Sequence, residues 1–161
     1  MSVFIKSNSY WSHTSYQNFE VWYYGNLNNY QIKKFLRKLE YDKNGLQINL
    51  IKKEIKNFKG KFSVIVKIFD VYFAFVDRIK SAPIFMAKVN NNYQLANNAN
   101  YLKEVLQDKN INKNSVLSIR MSGYCIGRNT LYKNIKQLLP GEICFIKNRK
   151  LLIYKYFNFI K

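Results

Sequence analysis

The sequence predicts an α+β domain in which helices cover antiparallel sheets. Three observations predict it: dense apolar strands arrive in pairs joined by short polar turns, segments of helical period lie between those pairs, and no repeat or low-complexity linker divides the chain. SVFI near the start is short and β-branched, and FEVWYYG at 19 to 25 alternates as a strand ending in a glycine. In NLNNYQIKKFLRKLE the apolar residues Ile32, Phe35, Leu36 and Leu39 follow i, i+3, i+4, i+7, with Asn28 or Asn29 available as the cap, so a surface helix is expected. Asn44-Gly45 breaks it.

From Leu46 to Phe58 the spacing of Leu46, Leu50, Ile51, Ile55 and Phe58 suits a second helix, which Lys59-Gly60 ends. KFSVIVKIFD and VYFAFVDR, separated only at Asp70 and Val71, read as a tight hairpin. IFMAKV and NYQLAN, joined by Asn90-Asn91-Asn92, read as another. ANYLKEVLQ and NSVLSIRMSGYC are helical, the latter ending at Gly123, and EICFIKNRKLLIYKYF is a third hairpin turning at Asn148-Arg149.

With 161 residues and 48% hydrophobic composition the chain makes one domain, residues 1 to 161. A chain of this length buries roughly 70% of the surface its unfolded form exposes. Aromatic residues at 17% argue against a disordered tail. A net charge of +18 favours polyanions, whether nucleic acid, an anionic membrane surface or an acidic partner. It is equally what a composition rich in Lys, Asn, Ile and Tyr gives, since the lysines are dispersed and form no run.

Cys125 and Cys144 lack CxxC spacing and His13 is the single histidine, so no metal site, no Cys/His pair and no cofactor is expected. Two buried thiols in a reducing compartment are the simple account. MSVFIKSNSYW lacks the pattern of a secretory signal, and runs such as VYFAFV are too short to span a membrane, so no membrane role and a cytoplasmic location are expected.

Three blocks carry a family resemblance. GKFSVIVKIFD at 60 to 70, DRIKSAPIF at 77 to 85, and GYCIGRNTLYKNIKQLLPGE at 123 to 142 occur in order. Together they resemble the N-terminal glutaminase domain of glutamine-hydrolysing asparagine synthetases, a class II glutamine amidotransferase. The second block is similar to the family's Asp-Arg-x-Gly-x-x-Pro, with Asp77, Arg78 and Pro83 in place and Lys80 where the glycine falls. The third matches Gly-Tyr-x-x-Gly-x-x-Thr-Leu-Tyr at Gly123, Gly127 and Thr130, then Pro140-Gly141. The resemblance implies an N-terminal-nucleophile hydrolase fold, a four-layer sandwich with two antiparallel sheets between helix layers. It also implies that the third block forms a helix, a glycine turn, a short helix and the final hairpin, leading toward a synthetase domain that this chain, ending at Lys161, does not contain.

The chemistry the resemblance implies is altered at each point. An active member exposes an N-terminal cysteine whose own α-amino group activates the thiol; here Ser2 follows Met1, and a hydroxyl is far harder to ionise than a thiol. Where the family's Asn-Gly-Glu supplies oxyanion donors, this chain has Tyr24-Gly25-Asn26, keeping only the glycine. Losing a side-chain donor there costs about 100-fold to 1000-fold in rate. Lys59, before Gly60, replaces an Asp that pairs with the ammonium of glutamine. Like charges roughly 4 Å apart at an effective dielectric of about 20 repel by around 4 kcal/mol, a thousandfold order of weakening. The family's arginine loop that grips the glutamine carboxylate has no counterpart, since no arginine lies between Ser2 and Gly25.

Three readings follow. The chain is a degenerate glutaminase-like domain, without glutamine hydrolysis, that binds or scaffolds a separately encoded asparagine-synthetase-like amide-forming enzyme. Alternatively Ser2 serves an N-terminal amidohydrolase of changed substrate, with Tyr24, Asn26 and Lys59 as its pocket. A third is a basic nucleic-acid-binding module, which needs salt-dependent binding and for which no RNA-binding signature is present. Trp11, Trp22, Tyr23 and Tyr72 are expected as core or sheet-face aromatics, Asp77 and Arg78 as a structural polar pair, and Glu142 as a solvated strand start.

Overall fold

The computed structural model describes residues 3–5, 10–39, 47–107 and 110–158. The predicted break at Asn44-Gly45 lies outside them.

The middle of the central sheet is built from strands apolar on both faces. β2 (Trp11–Tyr16), β3 (Phe19–Gly25), β4 (Phe62–Ile68), β5 (Val71–Val76), β9 (Glu142–Lys147) and β10 (Lys150–Lys155) form an antiparallel sheet ordered β10-β9-β5-β4-β3-β2. One face carries Val21, Tyr23, Val64, Val66, Phe73, Phe75, Ile143 and Phe145, which pack against α1 (Asn29–Lys38) and α2 (Ile48–Ile55) through Ile32, Phe35, Leu36, Ile51 and Ile55. The opposite face carries Ile65, Tyr72, Ala74, Val76, Cys144 and Ile146. These meet Ile84, Met86 and Leu95 of the second sheet, so both faces are covered and the strands read as continuous apolar runs.

The second sheet, ordered β1-β7-β6-β8, contains β1 (Val3–Phe4), β6 (Phe85–Val89), β7 (Asn92–Ala96) and β8 (Ile135–Gln137). Its outer face holds Ala87, Ala96 and Ile135 under Leu102 of α3 (Ala99–Leu106). The order helix, sheet, sheet, helix gives four layers. The second sheet is antiparallel except at β1, which joins β7 in parallel, Val3 beside Leu95 and Phe4 beside Ala96.

Local chemistry sets the boundaries. Asn28 caps α1 in a capping box: its side chain accepts from Gln31 N at 2.9 Å while the Gln31 side chain accepts from Asn28 N at 3.0 Å. The hairpin turns hold two residues each. Asn90-Asn91 and Asn148-Arg149 have positive φ at both positions, matching the twist of the strands they join. Asn92 is therefore the first residue of β7 and not part of the turn, and the β4–β5 turn is Phe69-Asp70, one residue earlier than expected.

Two strands depart from the sequence reading. β2 is an edge strand whose WSHTSY is too polar to announce itself, yet it pairs along its whole length with β3, from Trp11 opposite Tyr24 to Tyr16 opposite Phe19. The short helix expected before Pro140 is β8, because buried Ile135 and Gln137 pair with Ala87 and Phe85. The last helix, α4 (Lys113–Ser122), ends as expected at Gly123, whose N–H reaches Ile119 O at 2.8 Å.

Trp11 and Trp22 pack partly buried against the inter-sheet core, and Tyr23 and Tyr72 are buried. Cys144 is fully buried between the sheets, which pushes its thiol up to about 12. Cys125, expected to be buried, is half-exposed. The raised Cys144 value has a sign. Above about pH 9 the unfolded thiol ionises while the folded one keeps its proton, so stability is lost as pH rises toward 12. Cys144→Ala should flatten the fall in denaturation free energy over that window by up to about 1.4 kcal/mol per pH unit, measured by urea denaturation at stepped pH.

Candidate functional site

The candidate site is assembled at one end of the two sheets, where β3 ends and β4 begins. Gly25 faces Phe62 in the strand ladder with φ +100, and a Cβ there would lie 2.1 Å from Lys61 O, so only glycine permits the close approach. Asn26 N donates to Lys61 O at 2.8 Å, and Asn26 Oδ1 accepts from Lys61 N at 3.3 Å. Gly60 sits against the Asn26 side chain. Tyr24 is half-buried, stacked obliquely toward Trp11 with ring centroids 6.2 Å apart, and Lys59 is exposed. The structure thus brings Tyr24, Gly25, Asn26 and Gly60 together, with the Lys59 cation adjoining. Ser2 lies outside the described residues.

Asp77 fastens this end of the molecule. Its carboxylate is buried and accepts from Phe62 N at 2.8 Å, Ile79 N at 2.8 Å and Ser81 N at 3.2 Å. Its backbone N–H donates to Phe62 O at 2.9 Å and its carbonyl accepts from Gly141 N at 3.0 Å. Ser63 Oγ donates to Ala82 O at 2.6 Å, which seats the half-buried Pro83 and the start of β6 at the same end. β1 runs toward this end as well, since Phe4 lies beside Ala96, which pairs with Phe85.

The expected Asp77–Arg78 pair is corrected. Asp77 spends its oxygens on backbone N–H groups, whereas Arg78 places its guanidinium 4.4 Å from the Phe157 ring centroid. The expected solvated Glu142 is corrected too. It is fully buried, held by both terminal nitrogens of Arg128 at 2.5 and 2.6 Å, and accepts from Leu139 N at 2.7 Å. A glutamate after Pro-Gly gave no sequence signal of this; its partner sits 14 residues upstream inside the third motif.

The other motif residues fix turns. Thr130, buried, shares its hydroxyl with Tyr132 O and Ile135 O at 3.0 and 2.9 Å and accepts from Tyr132 N. Gly127 O accepts from Gln137 Nε2 at 3.1 Å. Pro140-Gly141 brings the chain back to β9, and Gly141 O accepts from Tyr156 N and Phe157 N. Lys80, where the family carries glycine, holds φ +56 and keeps that backbone form. It is half-buried, and the loss of hydration pushes its ammonium pKa down.

Among the described residues no group of three or more His, Cys, Asp or Glu side chains is placed to hold a metal ion, and no helix is long and apolar enough to cross a membrane.

Asp77→Ala should cost about 3 kcal/mol by stranding buried N–H donors, and Arg78→Ala about 1 kcal/mol or less. In chemical denaturation the double variant should show the sum; a large coupling energy would restore the ion pair rejected above.

No protein-family model and no curated protein matches the sequence. Solved structures do match. Glutamine phosphoribosylpyrophosphate (PRPP) amidotransferase from B. subtilis, complexed with ADP and GMP, superposes with a TM-score of 0.57 at 14% identity, over 90% of this chain and 31% of that one. A structure described as the allosteric regulatory enzyme of purine biosynthesis gives 0.50 at 10% identity, over 88% and 30%. The chain therefore spans less than a third of the length of these two structures. The likeness shows the fold: the four layers are those of N-terminal-nucleophile-hydrolase glutamine amidotransferase domains.

Proposed function

We propose that this chain is an asparagine-synthetase-type glutaminase-like domain without glutamine hydrolysis, acting as the accessory subunit of a separately encoded asparagine-synthetase-like, amide-forming enzyme. The observation that carries the reading is an amidotransferase-like fold with altered site positions: Lys59 precedes Gly60, which sits against Asn26, where the resemblance assigns a carboxylate. An ammonium ligand arriving there meets a cation. The Asn26 amide oxygen is turned to the backbone, where it accepts from Lys61 N–H at 3.3 Å.

The exposed apolar residues of α4 support a partner-facing role for that helix. The helix buries only Ser115, while Leu117, Ile119 and Met121 are exposed, and Tyr124 and Ile126 beyond Gly123 extend the apolar area. A helix that shows its apolar side chains to water is ordinarily one that docks. The surrounding charge, +18 over the chain, favours a partner with an acidic rim.

The test is association in native extracts. The chain should copurify with a larger asparagine-synthetase-like chain, and Leu117→Glu with Met121→Glu should reduce recovery at least about tenfold while leaving the denaturation midpoint unchanged. A monomer in those extracts, or undiminished recovery with the double variant, would count against the reading.

A further inference from the structure

Away from the Gly25–Gly60 cluster, the loop 124–132, β6, β8 and the start of α3 line an open cleft of about 480 Å³. Its size is that of a small-molecule site. Phe85, Tyr124, Leu131 and Tyr132 supply apolar walls, and Lys80 is the single cation among the lining residues.

That cation is positioned rather than loose. Gln137 Nε2 donates to Gly127 O at 3.1 Å and to Asn129 O at 3.0 Å, which fixes the amide so that its Oε1 faces Lys80. Lys80 Nζ donates to that oxygen at 2.8 Å. An ammonium carries three N–H donors, and among the described residues no carboxylate pairs with it. A half-desolvated cation with unspent donors in a largely apolar cleft is better placed to take an anion than a fully solvated lysine is. Its lowered pKa has the same cause.

We infer that this cavity binds a small aromatic carboxylate, with the carboxylate on Lys80 Nζ beside Gln137 and the ring between the tyrosines and Leu131. A phosphate group would call for several charged or backbone donors converging on it. The cavity offers one cation and neutral amides.

The chain supplies its own reporter. Cys125 lines the cavity and is half-exposed, whereas Cys144 is fully buried with its thiol pushed up to about 12. Iodoacetamide at pH 8 therefore alkylates Cys125 selectively in the folded protein. Benzoate should slow that alkylation, read by mass spectrometry, several-fold and saturably, while its neutral isostere benzamide and inorganic phosphate leave the rate unchanged. Lys80→Gln should weaken benzoate protection about tenfold or more, with folding checked by circular dichroism. If that variant does not fold, the benzoate-against-benzamide comparison on the wild-type chain decides alone. Equal protection by benzamide, protection by phosphate, no protection by benzoate, or benzoate protection that survives Lys80→Gln would each overturn the proposal.

Discussion

The Asp77 carboxylate is the constraint on which this end of the molecule depends. One buried side chain accepts from the backbone of β4 and twice from the loop that follows β5, and its own peptide groups bond Phe62 O and Gly141 N. Those bonds fix where β4 starts, how the chain leaves the central sheet for β6, and where the Pro140-Gly141 turn returns it to β9. The approach of Gly25 to Lys61, and of Gly60 to Asn26, takes place one residue from that anchor. The site positions are thus held by backbone hydrogen bonds.

Charge is arranged along the same lines. The chain has 9 acidic residues against 27 basic ones, and several of the acids serve the interior or pair with cations. Glu142 is enclosed with Arg128, Asp77 is spent on the backbone, and Glu54 and Glu20 engage Lys38 and Lys67. The remaining cations leave the chain strongly positive. An acidic partner surface is the complement of such a charge. The Arg128–Glu142 pair is a different matter. It draws Gly127 and Asn129 toward Gln137, and so shapes the cavity wall beside Lys80.

Much of this was legible in the sequence because the strongest signals are local. The alternation of FEVWYYG, the Asn148-Arg149 turn and the i, i+3, i+4, i+7 spacing of α1 are each decided by a few neighbours, and those elements sit where the pattern put them. What failed depends on distant partners. β2 is stabilised by its register with β3 despite polar residues on its exposed side, and IKQ becomes a strand because β6 offers it an edge. Glu142 is buried because Arg128 reaches it, and Cys125 is half-exposed because a cavity opens beside it. At the site, the grouping of Tyr24, Gly25, Asn26 and Gly60 was legible through the resemblance; the cavity around Lys80 was not, since its walls come from four separate segments.

The central claim is the proposal that this amidotransferase-like fold works without glutamine chemistry. The direct measurement is glutamate release from glutamine by the purified chain, with Ser2→Ala as the control and intact mass recorded on the same sample to establish whether Met1 is removed. The account predicts no release above the control, with Met1 removed. Release that disappears in Ser2→Ala would contradict it and make Ser2 a working nucleophile despite Lys59.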